Sequence, residues 1–409
     1  MAKVTVLSFA ITTLVIALPA VYSAPITCTL ATPTPPMVAA NGESELVEDV
    51  FVTCVSTAPA QSVVMNLEVI LNTNLTSRIT NTVTMAMEPF LLIDDPKPGV
   101  ANTSNGFPYF GQVLGTPGIL AGASGSGNVY QGKQALSGGS VLENVVLFEG
   151  VPYVTGGTRT FRITNVRANA ALLGINPVNA VVAITTDIAI DIVNPEITVA
   201  NAITPLKFTS GPIAGAVGLD LSFSELFPTA FKKRIENTIG GPLTLKHQDE
   251  PGTAYCTESG FTPGFESLTA GAAGLADTGV RLLARLTGIP PGVTTLTVPN
   301  QVTSLGGSLV AHRVLPPFGA HFAKGAITTA PGDSTVSVSA THTAELLYDV
   351  TAAAPYLGET GCGVLDNFNI TVIPSLPVSM TSTVVTGELA PLDSVAKASA
   401  TAPEPRYIP

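Results

Sequence analysis

Hydrophobic and polar residues alternate with a period of two along much of the chain, the spacing of strands with one face buried. Leu67, Val69 and Leu71 alternate with Asn66, Glu68, Ile70 and Asn72. Farther on, Val182, Ile184, Ile188, Ile190 and Ile192 share one phase, and Thr185, Asp187, Ala189 and Asp191 share the other. A third set, Val336, Val338, Ala340, His342, Ala344, Leu346, Tyr348 and Val350, holds one face as far as Thr351. Phe368, Ile370 and Val372 oppose Asn367, Asn369 and Thr371. The solvent phase is filled with Thr, Ser and Asn instead of Lys and Glu, and β-branched Thr suits a pleated surface. The pattern predicts an all-β chain of two antiparallel β-sandwich-like domains.

One stretch departs from the two-residue period. In residues 224–235, Phe227, Phe231 and Ile235 fall at i, i+4 and i+8, one face of a helix. Ser222 and Glu225 have the spacing of a capping box, and Pro228 fits a helix only in its first turn. Lys232, Lys233 and Arg234 follow, where cations suit the C-terminal end of the dipole. This predicts one short helix packed on a sheet.

Punctuation by Gly and Pro divides the chain. Lys3 followed by the run Val4 to Ala17 and by Val21-Tyr22-Ser23 has the layout of a signal peptide, residues 1–23, cut at the Ser23–Ala24 bond. Residues 24–204 then form a first domain with a Gly-rich excursion at 97–139. Residues 205–386 form a second, and 387–409 a disordered tail rich in Ala, Ser, Thr and Pro. No later stretch is long enough to span a bilayer. The expected location is secreted or cell-surface, or the periplasm.

Composition narrows the function. Charged residues are 11% of the 409, net charge is −11, and hydrophobic residues reach 45%. Disorder needs the opposite balance, and no basic stripe is present to neutralise nucleic-acid phosphates. The cysteines, Cys28, Cys54, Cys256 and Cys362, are even in number in a chain expected to be exported, which favours disulfides. Four cysteines allow three pairings; Cys28–Cys54 with Cys256–Cys362 keeps each bridge within one half of the chain.

Several segments carry a resemblance: Thr34-Pro-Pro-Met37, Glu45-Leu-Val47, Val52-Thr-Cys54, Leu71-Asn-Thr-Asn-Leu-Thr-Ser-Arg78 and Leu91-Leu-Ile-Asp-Asp-Pro96. To these are added Arg159-Thr-Phe-Arg-Ile-Thr-Asn-Val-Arg-Ala-Asn169, Thr257-Glu-Ser-Gly-Phe261 and Pro405-Arg-Tyr407. Together they resemble uncharacterised secreted proteins associated with acidobacterial genomes. The resemblance implies export and a β-rich architecture, and it carries over no activity and no catalytic residue.

Candidate chemistry is sparse. His247, His312, His321 and His342 show no i, i+4 metal pair, and His342 is expected on the apolar face of a strand. Gly122-Ala-Ser124-Gly-Ser126 lacks the final glycine of a nucleophile elbow. Asp187 and Asp191 would lie about 13 Å apart on one strand, too far to act as a glycosidase pair. Glu258, Glu266 and Asp277 are separated by turns. Asp94-Asp95 and the cluster Glu43, Glu45, Glu48 and Asp49 offer hard oxygen ligands, which makes Ca²⁺ the one cofactor to consider. Phe107, Tyr109, Phe110 and Tyr130 could form a sugar platform or anchor the Gly-rich excursion. The expected function is an exported structural or adhesive protein without enzymatic activity, self-associating or bound to matrix polysaccharide. The alternatives are a carbohydrate-binding or carbohydrate-active protein and a periplasmic carrier of a small ligand.

Overall fold

A computed structural model describes residues 26–94 (except 78 and 82), 129–231 (except 216), 280–318, 325–352 and 364–390. The described chain is all-β, with a single 3₁₀ turn at Ala170–Leu172 besides the strands. The hydrogen-bonded sheets fall into two sets that share no strand. The first ends with Glu196–Ile203, and the second begins with Leu206–Pro212.

The N-terminal set is built on one twelve-stranded sheet. It begins at Ile190–Val193 and passes through Ile26–Ala31, Val50–Ser56, Gly157–Thr164, Ala86–Ile93 and Val129–Ser137. It continues through Ser140–Val154, Ser62–Leu71, Pro177–Thr186, Glu196–Ile203 and Met37–Ala39, with Ile79–Asn81 added beside Ala86–Ile93. Ile190–Val193 stands at one end, paired in parallel with Ile26–Thr29. Only residues 187–189 and 194–195 tie it to Pro177–Thr186 and Glu196–Ile203 near the other end. Links that short require the two ends to meet, so the sheet curls round on itself. Its inward residues fill one apolar core, including Cys28, Leu67, Val69, Leu71, Phe148, Phe161 and Val182.

The C-terminal set has two sheets. Leu206–Pro212, Leu219–Glu225, Asn367–Pro374, Thr295–Pro299 and Asp333–Ser337 form the first. Gln301–Thr303, Leu309–Leu315, Ala344–Ala352, Arg281–Thr287 and Val384–Leu389 form the second, with Ala326–Ile327 beside Leu309–Leu315. Alternate residues of both sheets enter a common core: Leu221, Phe223, Phe368 and Ile370 from one, Leu282, Ala284, Leu346 and Tyr348 from the other. This is sandwich packing. Gly387 is required in it, because a Cβ there would stand 2.0 Å from the Phe208 ring of the opposite sheet.

Several expectations need correcting. Residues 224–231 are not helical. Ser224 and Glu225 finish a strand paired with Asn367–Val372, and a turn follows in which Thr229 has φ +81°. Pro228 leaves no interior N–H for a helix, and the Glu225 carboxylate fastens the turn instead. It accepts from Phe231 N at 2.6 Å and from Asp366 N at 2.7 Å. Phe227 and Phe231 are buried in the core from this turn; residues 232–235 lie outside the described ones. The long alternations are each two strands. Residues 187–189 break the first, so Asp187 and Asp191 do not share a strand. A turn closed by Ser339 and Thr343 breaks the second, placing His342 on it with φ +58°, exposed instead of on an apolar face. Residues 129–137, expected within the excursion, are an interior strand of the large sheet, and residues 387–389, expected in the tail, complete Val384–Leu389.

Candidate functional site

The strand Leu309–Leu315 turns Leu309, Ala311 and Arg313 toward the core of the C-terminal set, placing a guanidinium on the apolar phase. Arg313 reaches across to the other sheet, donating from Nη1 to Ser334 Oγ and from Nη2 to Thr335 O at 3.0 Å. Its residue is 3% exposed. Beside it, Tyr348 is the cross-strand partner and donates its hydroxyl to Pro299 O at 2.8 Å. Burial lowers the pKa of the guanidinium and raises that of the phenol.

Past this pair the two strands separate. Val314 and Leu315 pair with Ile327 and Ala326, and the chain then passes through Pro316 and Pro317. Among the described residues, Ala344–Leu347 are therefore paired on one side only, with Arg281–Thr287. The separation opens a cleft of about 730 Å³ between the second sheet and Asp333–Ser337. Leu286, Leu315, Phe318 and Val336 supply its apolar wall; Arg285, Arg313, Ser337 and Glu345 are among its polar residues. Arg285 is held by Glu345 at 3.3 Å and by Glu388. At the mouth, Ser339 Oγ bonds Thr341 Oγ1 at 2.9 Å and Thr343 Oγ1 at 2.6 Å. The arrangement offers one desolvated cation, an apolar wall and a rim of hydroxyls.

Arg167, also buried, donates from Nη1 to Ser44 O at 3.0 Å; Arg162 and Arg281 are held differently. Arg162 Nη2 meets Asp49 Oδ2 at 2.6 Å and lies over the Phe51 ring, 5.4 Å from its centroid. Arg281 Nε meets Asp349 Oδ2 at 3.2 Å. Each balances its charge with a carboxylate, as buried ions normally do.

The sequence candidates fare unevenly. Cys28 and Cys54 face each other across antiparallel strands and are bonded, with Cα atoms 4.0 Å apart. Cys256 and Cys362 lie outside the described residues, as do the signal peptide, His247, His321, Ser124, Glu258, Glu266, Asp277, Phe107, Tyr109 and Phe110. Asp94 is engaged by Arg159 and by Thr160 N at 3.0 Å. Within the acidic cluster, Asp49 binds Arg162, Glu45 is buried, and Glu48 Oε1 accepts from Asp49 N at 3.0 Å. Among the described residues no three His, Cys, Asp or Glu side chains are grouped to hold a metal ion. Tyr130 is not a surface platform; it is 2% exposed in the core, and burial pushes its pKa up to about 12. His312 bonds Thr328 O through Nδ1 at 2.9 Å. The cleft was not foreseen. Its one sequence signal is Arg313 itself, a charge in phase with Leu309, Ala311 and Leu315.

No protein-family model matches the chain, and no curated protein matches it. Solved structures with some likeness include one titled "Biofilm associated protein - B domain". It is 7% identical, with 85% of this chain and 76% of its own covered, at a TM-score of 0.20, too low to equate the two folds. Among the described residues no helix is long and apolar enough to cross a membrane.

Proposed function

We propose that the protein is an exported, non-catalytic structural or adhesive β-protein that associates with itself through sheet edges. The observation that carries this reading is the character of two neighbouring edges. Among the described residues, Leu206–Pro212 and Val384–Leu389 each end a sheet, and they approach one another where Phe208 covers Gly387. Lys207 and Glu388 are the only charges on these two strands. Edge strands are usually guarded by charge, proline or bulges; here the one proline, Pro212, stands at the last position of its strand, and Thr209, Ser210, Thr386 and Val384 are exposed. Such an edge can accept a strand from a neighbour through main-chain hydrogen bonds. The Cys28–Cys54 bond supports an oxidising compartment, and so export.

Light scattering on the purified chain, from micromolar to near-millimolar concentration with and without calcium, tests the proposal. The mass should grow with concentration. Thr209→Lys combined with Thr386→Lys should restore a monomer without lowering the melting temperature. A strict monomer of the unmodified chain throughout the range overturns the reading.

A further inference from the structure

We infer that the cleft beside Arg313 binds an acidic sugar, a uronate residue whose carboxylate meets the guanidinium. This goes beyond the self-associating role proposed above and stands or fails apart from it.

The argument begins with charge. A guanidinium carries five N–H donors, and the bonds to Ser334 Oγ and Thr335 O engage two of them. Removing a cation from water is costly unless an opposite charge accompanies it. Arg162 and Arg281 have that charge in Asp49 and Asp349. Arg313 is as deeply buried, yet its partners are a hydroxyl and a carbonyl, and among the described residues no carboxylate pairs with it. The other cation of the cleft, Arg285, is already held by Glu345 and Glu388. A side chain that only filled space here would be apolar, since a buried charge adds little stability over a hydrophobic replacement. A guanidinium in a cleft wall without its counter-ion is suited to an incoming anion, and its planar fork matches a carboxylate in two parallel hydrogen bonds.

The rest of the cleft selects the body that bears the carboxylate. Its volume of about 730 Å³ suits a sugar unit or two. Phe318 and Leu315 offer an apolar wall for the C–H face of a pyranose. Ser337, Ser339 and Thr343 bring hydroxyls, which both donate and accept, to the edges of the ring. A bare inorganic anion would leave the apolar wall unused, and a fatty acid would leave the hydroxyls unused.

Calorimetric titration of the full chain with oligogalacturonate at low salt tests the assignment. The comparison ligand is the same oligosaccharide with its carboxylates reduced to alcohols, and sodium sulfate and sodium acetate serve as simple anions. The oligogalacturonate should bind, and the reduced form should bind at least tenfold more weakly. Arg313→Gln should lose tenfold or more. Ser337→Trp, at an exposed lining position, should block the cleft and lose as much while its melting temperature holds. No binding by the unmodified chain, equal binding of the reduced form, sulfate or acetate binding as tightly as the sugar, or full affinity in Ser337→Trp would each overturn the inference.

Discussion

Glu225 makes the C-terminal sandwich sensitive to pH on the acid side of neutrality, between 4.5 and about 7. Its residue is 6% exposed, and burial pushes its carboxyl up to about 7 from an ordinary 4.5. The two backbone N–H bonds oppose that rise and the nearby Asp366 carboxylate adds to it, but burial dominates. At ~1.36 kcal/mol per pH unit, the distance between those two values is worth about 3 kcal/mol. The folded state holds this proton more tightly than the unfolded chain does. The stabilisation is therefore complete below pH 4.5, declines as pH rises, and is gone once pH has passed 7. Urea unfolding read by hydrogen exchange in peptides covering 219–231 and 364–374 follows the sandwich apart from the N-terminal sheet. Glu225→Gln is neutral at every pH and sets an amide NH₂ against one N–H donor, at a cost of about 1 kcal/mol. The variant should be less stable than the parent at pH 4.5, more stable at pH 8, and free of the slope between. A flat or rising profile in the parent, or the same slope in the variant, refutes the reasoning.

Two further outcomes follow from the packing. Replacing Cys28 and Cys54 together by Ala frees a loop of 26 positions. The chain-entropy relation puts the loss near 3.5 kcal/mol, measured as lower urea stability of the N-terminal sheet with the C-terminal sandwich unchanged; a loss under about 1 kcal/mol would show that the bridge does not constrain the unfolded chain. Gly387→Ala drives a methyl into the Phe208 ring, which itself packs on Phe223 at 4.9 Å. The expected cost is about 1–3 kcal/mol, and it should largely vanish in a Phe208→Ala background; equal costs in both backgrounds count against the contact.

Strand content was legible wherever one face of a strand meets the core and the other meets water. Leu67, Val69 and Leu71 are buried as their spacing requires, and so are Phe368, Ile370 and Val372. Periodicity misled at Phe227 and Phe231, whose helical spacing arises in a turn that drops both rings into the core. Only Asp366, distant in sequence, completes the fastening of that turn by Glu225. Alternation also ran on through the breaks at 187–189 and 339–343, because a turn of suitable length preserves the phase of the next strand. The cleft was invisible for a related reason. An arginine in an apolar phase marks a position, but its lack of a carboxylate depends on the opposite sheet.

The curled N-terminal sheet also imposes an order of events. Ile26–Thr29 acquires its second neighbour from Ile190–Val193, near the far end of the same set of strands. A growing chain delivers the first segment long before the second. Until then, among the described residues, no native strand covers that flank of Ile26–Thr29. Closing so distant a pairing carries a large loop-closure cost and belongs among slow folding events. A chain arrested after Ser56 but before Ile190 would present that flank to other chains, so the hazard of misassembly is greatest in unfinished molecules, not in finished ones.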